Sequence, residues 1–271
     1  MDRFSTQKVK ALYLVSLVYL LAFIIAGIFV NIIPGNILNK TLYADLAATL
    51  VVFIFSRIYK NSSLYDPYWS VAPIIIVAYW LIYLGKSFMD YREILIFIFI
   101  CWWGLRLTWN WILRWSGLGD EDFRYVDLKK SKGIIAFSLD FVGIHFFPTL
   151  IVFVGLLPVY YVISEVNTPI NYIDGIAVLT TLIAILIETF ADNQLRAFKR
   201  SNKEGRLKSG LWKYIKYPNY LGENLFWWGL FLFAVAASKD NMYLVFAPVS
   251  MNLLFVFVSI PMMKKRLARK K

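Results

Sequence analysis

Cysteine and histidine are almost missing: the 271 residues include one of each, Cys101 and His145. One cysteine cannot close an intrachain disulfide or build a thiolate metal site. One histidine cannot form a histidine cluster, so no metal centre is expected. Acidic residues are also few, 17 against 29 Lys and Arg. No GxGxxG or P-loop pattern occurs, which excludes a Rossmann or P-loop nucleotide domain. No internal repeat is evident, and no segment between apolar runs is long enough for a separate soluble domain.

Apolar side chain is what the sequence has in excess: 59% of residues are hydrophobic and the mean hydropathy is +0.60. A soluble domain needs far less, so the surplus is expected to face lipid. Runs long enough for a ~30 Å hydrocarbon core occur at Ala11–Ile33, Pro67–Leu84, Ile94–Leu113, Ile134–Ile163, Tyr172–Ala191, Asn219–Ala237 and Met242–Met263. A weaker run, Thr41–Phe55, carries Asp45. The first run exceeds a signal peptide's apolar region, and NIIPGN offers no small-x-small cleavage site, so it is expected to stay as a helix. Ile134–Ile163 is too long for one straight span. Either Pro148 and Pro158 kink it or Ile134–Phe141 lies in the interface.

The net charge of +12 raises nucleic acid as a partner, but the distribution of charge argues against it. From the N-terminus, the segments outside the spans carry 3, 1, 2, 2, 5, 0, 8, 1 and 6 Lys and Arg, which puts 24 on one side and 4 on the other. That alternation is the positive-inside pattern. It predicts an all-α, polytopic transmembrane bundle of about eight spans with both termini cytoplasmic. The partners expected are the lipid bilayer and a hydrophobic small-molecule substrate, with no nucleic acid. The two longest loops, Arg114–Lys132 and Asn193–Tyr217, both fall on the predicted cytoplasmic face.

Ionisable groups inside spans are expensive and therefore functional candidates. Glu188, Asp192 and Arg196 recur every four residues, with Lys199 on the same helical stripe. A salt-bridge ladder at a helix end accounts for Arg196 and Lys199 but not for Glu188. Asn219 and Glu223 form a second set, one turn apart with Trp227 beyond them. Pro218 suits a first helical turn, yet Glu223 needs a partner in the bundle, for which the Arg196/Lys199 stripe is available. Arg106 is the one basic residue deep in a span, and a buried acidic partner or a phosphate would explain it. Asp66 reads as the cap of a Pro-initiated helix, and His145 as hydrogen-bonded to a neighbouring helix.

Four motifs occur in order: DPYWSVAP, WWGLRLTWNWILRW followed by GDEDFRY, ETFADNQLRAFK, and GLWKYIKYPNYLGENLFWWG. Together they resemble the bacterial DUF1295 membrane proteins of the steroid 5-alpha-reductase C-terminal domain superfamily, over about Tyr65 to Lys265. The resemblance implies a seven-span reductase-like core over 41–271, preceded by an extra N-terminal helix and loop over 1–40. It also implies a cytoplasm-facing cofactor pocket formed by 188–266. In that reading the cofactor is NADPH, with S-adenosylmethionine as the alternative because isoprenylcysteine carboxyl methyltransferases are related.

By the same resemblance, Asp192 and Arg196 match a D-x-x-x-R cofactor motif. Lys199 stands where another arginine is usual, and Arg206 is a phosphate contact. Asn219, Tyr220 and Glu223 match an N-[YF]-x-G-E element lining the cofactor site. The activity implied is NADPH-dependent reduction of a carbon–carbon double bond in a lipid-soluble, enone/sterol- or isoprenoid-like substrate; the alternatives are an S-adenosylmethionine-dependent methyltransferase and a non-catalytic membrane protein. Glu188, Tyr79 and Tyr83 are the candidates for proton donor. A bacterial inner membrane is the location the family implies. The chain departs from the family in having Tyr217 where a histidine is usual and Lys264 in place of an acid. The glutamate that steroid reductases place before Leu-Pro is absent near Val71–Pro73, so a steroid substrate is not expected.

Overall fold

The computed structural model describes residues 5–86, 91–130, 133–165, 168–201 and 205–268. Every regular element among them is helical. In chain order the helices are α1 (Thr6–Ile32), α2 (Ile37–Ile58), α3 (Tyr68–Tyr83), α4 (Tyr91–Arg114), α5 (Phe123–Leu128), α6 (Gly133–Ser138), α7 (Phe147–Ser164), α8 (Tyr172–Arg200), α9 (Leu211–Tyr214), α10 (Pro218–Ala237), α11 (Phe246–Leu254) and α12 (Ile260–Ala268). Among the described residues, seven helical stretches are long and apolar enough to cross a membrane. The chain is therefore a multi-pass integral membrane protein built as an all-α bundle.

The run expected at Pro67–Leu84 gives a short helix. It forms α3, whose 16 residues extend only about 24 Å, short of the ~30 Å core. Pro67 fixes its start and Gly85, at φ +65°, ends it. The weak run at Thr41–Phe55, by contrast, lies within the full-length helix α2.

The run Gly133–Ser164 is one continuous helical stretch of 32 residues. It absorbs its first proline by widening: Leu139–Phe146 is π-helical and leads directly into Pro148. A second π-helical stretch, Phe255–Ser259, lies just ahead of Pro261. In both places a proline ring would collide with the carbonyl four residues back, and the wider turn relieves that collision.

The chain divides into two compact units, Met1–Ile76 with Leu107–Phe153, and Val77–Arg106 with Val154–Lys271. In the first unit, α1 starts at Ser5, whose hydroxyl accepts from the Lys8 N–H. Helix α2 starts at Asn36, which accepts from the Asn39 N–H. The segment after α2 holds the GDEDFRY loop. Asn61 Nδ2 donates to the Leu118 and Asp120 carbonyls, the Ser62 N–H donates to Glu121, and the Asp122 N–H donates to Ser63. Asp140 lies on the widened turn, fully buried, and accepts from Ser62 Oγ and Arg57. His145 bonds Ser56 of α2 and the Asp140 carbonyl, as expected of a structural histidine.

In the second unit α8 and α10 pack at very short range. A Cβ added at Gly222 would sit 2.8 Å from the Ala184 carbonyl oxygen, and one at Gly229 would meet Thr181. Small residues give this approach in a bundle where lipid removes the hydrophobic drive between helices and close packing has to replace it. Beside this seam Trp103 stacks on Phe226 at 4.7 Å and meets Trp227 edge-on at 5.4 Å, all three fully buried. At the opposite end of α8, Arg92 clamps Asp174 through two bonds of 2.7 and 2.8 Å and reaches the Thr168 and Pro169 carbonyls. Asn171 and Asp174 cap α8 reciprocally.

Candidate functional site

The polar residues of the second unit converge near the α8–α10 seam. Arg106, on α4, forks between two carboxylates of α8: its NH1 group donates to Asp192 at 3.0 Å, and NH2 donates to Glu188. The three side chains are 10%, 13% and 3% exposed, so the ion pairs are desolvated. Arg106 is thus explained by acidic partners on α8. One helical turn separates Glu188 from Asp192, which matches the spread of a guanidinium fork.

Glu223 does not pair with the Arg196/Lys199 stripe as expected. Its two oxygens accept from indoles, Oε1 from Trp227 at 2.9 Å and Oε2 from Trp103 at 3.2 Å. Trp227 is the residue four positions on along α10, while Trp103 comes from α4. Pro218 opens α10, so Glu223 starts its second turn and is only 4% exposed. Arg196 instead donates to Asn193, three residues back on its own helix.

The basic hairpin between α8 and α10 is folded back onto α8 by a latch that the motifs did not reveal. Trp212 Nε1 donates to the Ala191 carbonyl, and the Leu211 N–H donates to Gln194. Leu207, Trp212 and Ala191 form a small apolar core, packed by Leu195, Phe198, Leu211 and Tyr217. Gly210 lets the chain pass over Gln194. Its φ is +59°, and an added Cβ would lie 2.5 Å from the Gln194 amide. The described residues of 193–217 carry seven Lys and Arg and no acid. Of the expected phosphate contacts, Lys199 and Arg206 are exposed and Arg206 bonds the Lys216 carbonyl at 3.5 Å.

Where the hairpin meets α10, polar atoms are buried without partners. Tyr217 OH, Asn219 Oδ1 and Asn224 Oδ1 are each closed off from solvent and make no hydrogen bond. Three such atoms within eight residues are unusual, since nearly all buried polar atoms are satisfied. Tyr220 stacks against Tyr217 at 5.5 Å and packs at a tilt against Phe255 at 5.0 Å. Tyr79 and Tyr83 stand apart from this cluster: they pack against each other at 5.6 Å, and neither hydrogen-bonds to it among the described residues.

A separate polar cluster occupies the loops of the first unit. The Tyr125 hydroxyl donates to Asp66, and Arg124 chelates Asp122 through bonds of 2.8 and 3.3 Å. Burial pushes the Asp66 carboxyl up from 3.8 to about 6, although Arg124 and the Tyr125 bond act against it. Asp122 moves the other way, held low by Arg124 despite its own burial. Asp66 therefore ties the start of α3 to the GDEDFRY loop and, contrary to expectation, accepts no backbone N–H of α3 as a cap among the described residues.

This is the arrangement of a polytopic helical membrane protein that carries a buried carboxylate–guanidinium cluster beside a basic hairpin. Residues 52–271 match the family described as "Protein of unknown function (DUF1295)", and the chain belongs to that family. The match bears out the resemblance read from the four motifs. A fission yeast (Schizosaccharomyces pombe) relative, "Uncharacterized protein C594.04c", is 24% identical over 205 residues. That alignment covers 67% of this chain and 60% of the relative, so the chain spans less than two thirds of the relative's length. A eukaryotic relative gives no support to the expected bacterial inner membrane. No solved structure matches the chain.

Proposed function

We propose that the protein is an NADPH-dependent membrane reductase acting on a carbon–carbon double bond of a lipid-soluble substrate. The observation that carries this reading is the set of orphaned polar atoms at the start of α10, next to a hairpin dense in cations. Asn219 Oδ1 is a buried acceptor with no donor, which suits a carboxamide N–H₂ group such as that of nicotinamide. Arg196, Lys199 and Arg206 suit phosphate oxygens, Arg through its planar fork and Lys as a point charge. Tyr220, packed on Tyr217 and Phe255, adds an aromatic wall. Asp192 is tied to Arg106 and, in this reading, carries the hairpin side of the pocket on α8.

When bound, NADPH supplies a hydride. The chain's own residues would hold and orient it, exclude water through the buried tryptophan cluster, and provide a proton. Glu223 fits a direct cofactor contact less well than Asn219, because both of its oxygens already accept indole N–H groups. The indoles of Trp103 and Trp227 hold Glu223 in place between α4 and α10.

Cofactor binding to the purified protein is the test. Saturable NADPH binding that is lost in Asn219→Ala and weakened in Arg196→Ala, with helicity unchanged, would support the reductase. Binding of S-adenosylmethionine without any response to NADPH would replace it with a methyltransferase. Binding of neither would leave a membrane protein without cofactor chemistry.

A further inference from the structure

Glu188 is surrounded on an unusual pattern. Its Oε2 takes the Arg106 bond, while its Oε1 is buried and receives no N–H or O–H donor from the protein. The neighbouring acid across the α8–α10 contact is a second carboxyl, Glu223. Gly222, the residue before Glu223, packs its backbone directly on the Glu188 side chain: a Cβ there would overlap it. Glu188 and Glu223 are 3% and 4% exposed, so solvent does not screen them from each other.

Two ionised carboxylates are acceptors only and repel one another when buried side by side; such a pair is favourable only with a proton between them. The charges facing the pair lead to the same conclusion. Arg106 on α4 is the cation bonded to it, and that cation is shared with Asp192 on α8. The remaining contacts, Trp103 and Trp227, are neutral donors to Glu223. Two buried carboxylates facing one desolvated guanidinium, itself shared with Asp192, would leave uncompensated charge, which protonation relieves.

We propose that Glu188 and Glu223 hold one proton between them and that this pair is the proton source of the site. The second half rests on the reductase reading. Reduction of a conjugated double bond consumes a hydride, supplied by a dihydronicotinamide, and a proton. In the proton step the carboxyl O–H bond breaks, a C–H bond forms at the substrate carbon next to the carbonyl, and the electron pair stays on the carboxylate. Arg106, already bonded to Glu188, faces the second negative charge. The pair then takes a proton back from solvent, past the partly exposed Asp192.

Infrared spectroscopy of purified protein, with and without ¹³C-glutamate labelling, tests the shared proton without any variant. The carbonyl stretch of one protonated glutamic acid is expected at neutral pH. It should vanish in both Glu188→Gln and Glu223→Gln, because the amide then donates to the remaining carboxylate. Absence of the band in the wild-type protein, or its persistence in both variants, overturns the proposal. NADPH binding is measured separately. If it is absent while the band is present, the reductase reading fails, and the role as proton source fails with it. With NADPH bound and the isoprenoid enone β-ionone as probe, Glu188→Gln is expected to keep NADPH affinity within about twofold and to slow oxidation by about 100-fold. Oxidation by the variant at the wild-type rate would overturn delivery from this pair.

Discussion

Replacing Gly222 with alanine tests the packing that creates the carboxyl pair. The added methyl carbon would lie 2.8 Å from the Ala184 carbonyl oxygen and 3.1 Å from the Glu188 nitrogen, and would overlap the Glu188 side chain. The side chain can turn aside, but the backbone atoms of α8 cannot. To reach ordinary contact at 3.4 Å, the helices must separate by roughly 0.6 Å at this point. Overpacking of this kind costs about 1–3 kcal/mol. The loss extends to Trp103 and Trp227, whose bonds to Glu223 depend on where α10 sits. Unfolding in mixed micelles with rising dodecyl sulfate fraction, followed by tryptophan fluorescence, should show a lower midpoint for Gly222→Ala. The control is Gly175→Ala, on α8 with nothing within 4 Å of the added carbon. Alanine there is expected to stabilise by about 0.5–1 kcal/mol through its helix preference. A Gly222→Ala midpoint equal to the wild-type value would refute the tight α8–α10 contact.

Three other outcomes follow from separate features. Arg106→Leu removes the cation from Glu188 and Asp192 and is expected to destabilise by about 3–5 kcal/mol in the same assay, with a smaller loss in a Glu188→Gln background. Asp66 is protonated more readily in the folded chain, so the fold binds the extra proton between about pH 4 and 6 and loses stability as pH rises through that window. Two pH units correspond to about 3 kcal/mol; the stability difference between wild type and Asp66→Asn, measured at both ends of the window, should shift by up to that amount and show no shift if Asp66 is not buried. Gly210→Ala strains a backbone at φ +59° and displaces Gln194, so the hairpin latch weakens by about 1–2 kcal/mol. Trypsin cleavage at Arg206 and Lys208 should then accelerate about 5–30-fold, and an unchanged rate would show that the latch does not hold the hairpin.

Much of this architecture is legible in the sequence because its causes are local. Spans follow from runs of apolar residues, and Pro218 marks the start of α10 because proline suits the first turn of a helix. The stripe of Glu188, Asp192 and Arg196 follows from helical periodicity, and the family from four motifs in order. The shortfall of α3 was not legible, since a hydropathy run extends over the proline and glycine that cut the helix short.

Partners were decided only by the tertiary structure. Periodicity places Glu223 on one face of its helix but does not say which helix lies opposite. The answer, an indole 120 positions earlier in the chain, replaced the cations that sequence proximity favoured. Arg106 is committed to α8 by the same packing. The contact between Glu188 and Glu223 exists because Gly222 has no side chain, which lets two helices close on a pair of acids that water would keep apart. A stretch that begins with proline, asparagine and glutamate thus reads as a poorly made membrane helix until the neighbour that receives the glutamate is known.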